Sequence, residues 1–180
     1  PLVLPLVLGL VGQAGEPLPV RLQGESDAEA RSAALAHAWG DGSRLLVIDQ
    51  PEQQICLEGL EPHSHPPALS LLRGFSAPVK LELQRGTNEL LHLLACDSDP
   101  FARWDAGQVL LRQAVLERAA GSSNDELEEG LVAAFDRILA EVGLCDSNRS
   151  MLLALPGLPE LEDADVAAAG FSDPPALFQA

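Results

Sequence analysis

A chain of 180 residues that is 47% apolar but only 4% aromatic, with no Tyr, can bury one or two cores built from Leu, Val and Ala. Eleven basic against 27 acidic side chains give a formal net charge of −16, and Lys80 is the only lysine. A chain so acidic repels phosphate backbones, which excludes nucleic acid as a partner, and acidity of this kind serves solubility.

The opening PLVLPLVLGLV is too short for a membrane span, which takes about 20 residues. It also lacks the basic start and small-residue cleavage site of a secretion signal, so no membrane partner is expected. Leu2, Leu4, Leu6, Leu8 and Leu10 alternate with Val3, Pro5, Val7, Gly9 and Val11, which predicts a strand with one strongly apolar face. Starting on Pro1 rather than methionine, the chain reads as an excised piece. Gly12 to Gly15 is a turn, after which Leu18 to Leu22 pairs back. Ser26 and Glu29 form a capping box ahead of an alanine-rich run to Trp39, either a helix or a mobile arm closed by Gly40-Asp41-Gly42. Little apolar area there makes residues 26–42 the loosest expected part.

Arg44 to Ile48 and Gln53 to Leu57 read as short strands around Gln50-Pro51, and Ala68 to Leu72 as another, beyond a loop with His63 and His65. Ser76-Ala77-Pro78 leads into Val79, Leu81 and Leu83, which alternate with Lys80, Glu82 and Gln84 as in a half-buried strand. After Gly86 the period changes from two to that of a helix. Leu90, Leu91 and Leu94 share a helical face, and Asp99-Pro100 supplies an N-cap and N1 proline for a helix carrying Phe101, Trp104, Leu111 and Val115 on one side. Ser123 and Glu126 form a second capping box before the stripe Leu127, Leu131, Phe135, Ile138, Leu139 and Val142, which ends at Gly143. Shorter helices follow from Met151 to Leu155, Pro159 to Ala169, and after Asp173-Pro174.

The expected architecture is therefore α+β: a β-sandwich over residues 1–85, then a helical array over 86–180. An array of paired helices cut at Ala180 would leave one apolar face without its next layer.

Little in this sequence carries chemistry. Cys56, Cys96 and Cys145 are odd in number and contain no CxxC pair, so reduced, buried thiols in a cytoplasmic protein are expected rather than disulfides or a zinc site. His63 and His65, joined by Glu61, could clip a metal, but loop histidines of this kind are usually solvated. Gly40-Asp41-Gly42 lacks the lysine and helix of a phosphate loop, and no nucleophile elbow occurs. Arg103, Trp104 and Asp105 look like an interface anchor, yet their helical face predicts that Trp104 packs the first long helix on the sandwich, with Arg103 or Asp105 securing it. Asp125, Glu126, Glu128 and Glu129 occupy a helix first turn, where the dipole explains them. No catalytic, cofactor-binding or metal-binding residue is assigned.

The strings GFSAPVKLEL and DPFARWDAGQVLL, in that order and at this separation, resemble the junction between the third and fourth domains of bacterial aminopeptidase N. RLLVIDQPEQQICLEGL fits the same family's sandwich, whereas Ser26 to Trp39 looks like an insertion. The resemblance implies an immunoglobulin-like β-sandwich followed by paired helices, within a zinc-dependent gluzincin aminopeptidase that removes N-terminal residues from peptides. The His-Glu-x-x-His zinc motif of such enzymes occurs nowhere in this chain, so the chain itself should be inactive and hold no cofactor. Its partners would be the catalytic and remaining helical domains of one polypeptide, with the sandwich acting as a spacer. The family's sandwich starts with further strands before Pro1, so the first strand here is expected to be an open edge, ready to pair with another copy. The rival readings are an independent protein-binding module and a small hydrolase with an unrecognised site.

Overall fold

A computed structural model describes residues 3–35, 42–58, 60 and 66–161. They fall into two compact units: the chain up to Gln84 together with Cys96–Arg103, and Arg85–Ala95 together with the chain from Trp104 onward.

The first unit is built on β1 (Leu4–Val11). β2 (Pro17–Leu18), β4 (Arg44–Ile48) and β6 (Ala68–Leu71) all pair with it antiparallel. β3 (Arg21–Leu22) and β5 (Leu57–Glu58) make a second, two-stranded sheet, and α1 (Asp27–Leu35) lies between β3 and β4 in sequence. The leucine face of β1 does what its period dictates. Leu8 and Leu10 are buried with Val20 and Leu46, and Leu6, Leu18, Ile48, Leu69 and Leu71 pack on them. Leu22 and Leu57 from the second sheet join the same cluster, so the two sheets share one core. Each fully buried aliphatic side chain stabilises it by about 1.5–3 kcal/mol.

The opposite face of β1 is also covered: Val7 and Val11 are buried. The alternating pattern predicted one apolar face, but the valine face has cover as well. β1 is also not the expected open edge. It runs inside its sheet, opposite β4 from Leu4 to Leu8 and opposite β6 from Leu8 to Val11.

Other strand boundaries differ from the sequence reading. Val79 to Gln84 forms no ladder, because alternation shows that a segment can pair, not that a partner exists. The strand expected from Gln53 to Leu57 shrinks to Leu57–Glu58, and Leu18 to Leu22 divides between two sheets with Pro19-Val20 as the crossing. Ser26 caps α1 as the capping box requires: Glu29 N donates to Ser26 Oγ at 3.3 Å and Ser26 N to Glu29 Oε2 at 2.8 Å.

The second unit is helical: α2 (Thr87–Cys96, up to Ala95), α3 (Pro100–Ala119, from Trp104), α4 (Asp125–Ala140) and α5 (Asp146–Leu152). Leu90, Leu93 and Leu94 are the buried face of α2. On α3 the buried residues are Ala106, Gly107, Gln108, Leu110 and Leu111, whereas Trp104 and Val115 are only half-buried. Small residues are there for a reason. A Cβ on Gly107 would stand 3.1 Å from Leu94 Cδ1, and one on Gly130 of α4 would stand 2.4 Å from Leu91 Cδ1. α4 is capped by Asn124, whose side chain accepts from Leu127 N, one residue after the predicted Ser123. It buries Leu127, Leu131, Ala134 and Ile138, while Leu139 and Val142 of the predicted stripe are exposed and the helix stops at Ala140. α5 begins at Asp146, five residues ahead of the expected Met151. The helix expected from Pro159 starts a turn at 158–161, and the rest of it, like that after Asp173, lies outside the described residues.

Candidate functional site

The most elaborate polar cluster belongs to the first unit and centres on Arg73, whose whole residue is 1% exposed. Its seat is prepared by β1 and β6. Gly9 and Ser70 are opposite each other in the ladder, so both face the same side of the sheet. With no side chain at Gly9, the guanidinium lies directly over the backbone; a Cβ there would be 2.4 Å from Arg73 Cζ. Ser70 Oγ accepts from Arg73 Nε at 2.9 Å and Ser43 Oγ accepts from Nη1 at 2.7 Å. Nη2 donates to Asp97 Oδ1 at 2.5 Å and to Ser98 Oγ at 3.3 Å. The Asp97 side chain is completely buried, so this is an ion pair away from water.

Three left-handed residues deliver Arg73 to that seat: Leu72 at φ 55°, Gly74 at φ 61° and Phe75 at φ 53°. Only glycine takes this region freely, and each other residue there costs about 1–3 kcal/mol. The surroundings hold the turn in place. Phe75 N donates to Leu72 O at 2.9 Å, Gly74 N donates to Asp99 Oδ2 at 2.9 Å, and the Phe75 ring meets Phe101 at 5.1 Å between centroids. Ser76 Oγ, just beyond the turn, accepts from Val7 N at 3.0 Å.

Asp99 does two jobs. Its Oδ1 accepts from Ala102 N at 2.8 Å, the N-cap bond predicted for Asp99-Pro100, while Oδ2 holds the turn. Burial pushes its carboxyl above the ordinary aspartate value, against the pull of those two backbone N–H groups. The cluster clamps residues 97–99 onto the sheet. Each guanidinium nitrogen is already donating within it, so its polar groups are spent on holding these segments together.

A cleft of about 490 Å³ in the same unit is lined by Pro19, Val20, Arg21, Asp27, Arg31 and Glu58, among others. Arg21 and Asp27 pair across 2.9 Å at its rim, and neighbouring Glu25 pairs with Arg44. Charges of both signs alternate there without converging on one point.

The residues singled out in the sequence are dispersed. Arg103 is buried, Trp104 is half-buried and Asp105 is exposed, so three neighbours on one helix do not form a common surface. Glu61, His63 and His65 lie outside the described residues. The acidic run occupies the first turn of α4, where Glu128 also pairs with Arg118 at 2.5 Å. The cysteines carry no disulfide, but Cys56 and Cys145 are exposed rather than buried, since both stand in loops just ahead of short elements. Among the described residues no three His, Cys, Asp or Glu side chains converge to hold a metal, and no helix is long and apolar enough to cross a membrane. Sequence reading passed over Arg73, Asp97 and Gly9. The one local signal was Gly74 beside an arginine at the end of an apolar strand.

Two family models match the chain. One, described as a domain of unknown function (DUF3458) with an Ig-like fold, matches residues 1–84, and the other, described as DUF3458_C ARM repeats, matches residues 87–180. Aminopeptidase N of Caulobacter vibrioides is 37% identical over 130 residues, which are 70% of this chain and 15% of that protein. Aminopeptidase N of Escherichia coli is 26% identical over 140 residues, 76% of this chain and 16% of that protein. The crystal structure of Legionella pneumophila aminopeptidase A in complex with aspartic acid matches 89% of this chain and 16% of its own, with a TM-score of 0.63. At 24% identity that likeness speaks for the fold. The chain thus spans about a sixth of the length of the proteins it matches.

Proposed function

We propose, because this chain belongs to the DUF3458 family of aminopeptidase N-like proteins, that it is the non-catalytic sandwich-and-helix portion of a zinc-dependent aminopeptidase. The observation that carries the reading is the pairing of a 37% identical aminopeptidase N match with a chain that has no His-Glu-x-x-His. Among the described residues no donor set fits zinc, so no step of peptide cleavage is routed through them. Their contribution is rigidity: a sheet core in the first unit and packed helices in the second, in the manner of a spacer between working parts. Removal of N-terminal residues from peptides would belong to the whole polypeptide, whose catalytic and further helical domains would be this segment's partners. An odd count of three cysteines without a CxxC pair supports a reducing, cytoplasmic setting.

Two measurements test this. The reading frame upstream of Pro1 should encode His-Glu-x-x-His followed by a glutamate ligand; an independent start codon near Pro1 would refute it. The purified 180-residue chain should not turn over aminoacyl or ester substrates. Turnover that scales with protein concentration and survives chelator would overturn the spacer reading in favour of a hydrolase.

A further inference from the structure

We draw no further inference here: the strongest candidate, the buried side-chain cluster in which Arg73, Asp97 and Asp99 clamp residues 97–99 onto the sheet, belongs to the site already described.

Discussion

Replacing Asp97 by alanine strands the Arg73 guanidinium in a place water does not reach. Arg73 is 1% exposed and the Asp97 side chain is fully buried, so neither charge is softened by solvent. The three serines that also receive its donors are neutral and supply no counter-charge. Breaking a buried pair by removing one partner costs about 3–5 kcal/mol. Against a total of about 5–15 kcal/mol for a domain, that is about a fifth or more of the stability. The mirror variant Arg73→Met strands the carboxylate, whose Oδ2 already has no hydrogen-bond partner, and should cost a similar amount. The double variant Arg73→Met/Asp97→Ala removes both charges and should cost clearly less than the two single losses together, since neither charge is then left buried without its partner. Urea titrations of the four proteins close a double-mutant cycle, with an expected coupling of about 2–3 kcal/mol or more. If Asp97→Ala costs under about 1 kcal/mol, or the two single losses simply add, the pair is not buried as described and the reasoning fails.

Gly9→Ala should lower the urea midpoint, costing about 1–3 kcal/mol, because its Cβ would stand 2.4 Å from Arg73 Cζ; an unchanged midpoint would show that the guanidinium lies elsewhere. Ser26→Ala removes the oxygen that caps Glu29 N and should cost about 1 kcal/mol, read as faster amide exchange across Asp27–Leu35 with β1 unaffected. Acid should loosen the same region. Backbone donation from Leu22 and then the Arg44 side chain hold Glu25 below its ordinary value, and Ser26 does the same for Glu29. Groups depressed in the fold bind fewer protons than in the unfolded chain, so their stabilisation is present above the ordinary value of 4.5 and lost as pH falls through the folded value. Glu25→Gln should flatten that acid limb in urea titrations. Asp99, raised by burial, acts in the opposite sense: its contribution is lost as pH rises through its folded value.

The parts legible in the sequence are those in which one residue type at one spacing has one cheap explanation. Ser26 with Glu29, and Asp99 before Pro100, announced helix starts because an orphan N–H needs an acceptor wherever the helix lies. The leucines of β1 announced a core-facing strand through their period. Partners were not legible. Nothing in LPLVLGLV says that β4 and β6 flank it, and nothing in VKLELQ says that no strand does. The buried face of α3 was read only in part, for a different reason: Leu111 was expected and is buried, but Ala106, Gly107 and Gln108 share that face, and a search for large apolar residues goes instead to Trp104 and Val115. Close approach of helices selects small residues, which carry no hydrophobic signal of their own.

Arg73 shows the limit most plainly. A lone arginine after an apolar strand reads as a solvated end, because charge at a surface costs nothing and charge in a core costs several kcal/mol. It is buried here because four separate features agree in space: an absent side chain at Gly9, hydroxyls from Ser43 and Ser70, and a carboxylate from Asp97, 24 residues further on. None of these is unusual alone, and their sequence separations follow no period. The consequence reaches the domain boundary. A piece ending at Gln84, where the Ig-like family model stops, retains Arg73 and discards Asp97. That piece should therefore be less stable than one ending at Arg103 by about the 3–5 kcal/mol of the broken pair, and chemical denaturation of the two truncations would show it. Equal midpoints would mean that residues 96–103 are a passive connection rather than a structural member of the sheet unit.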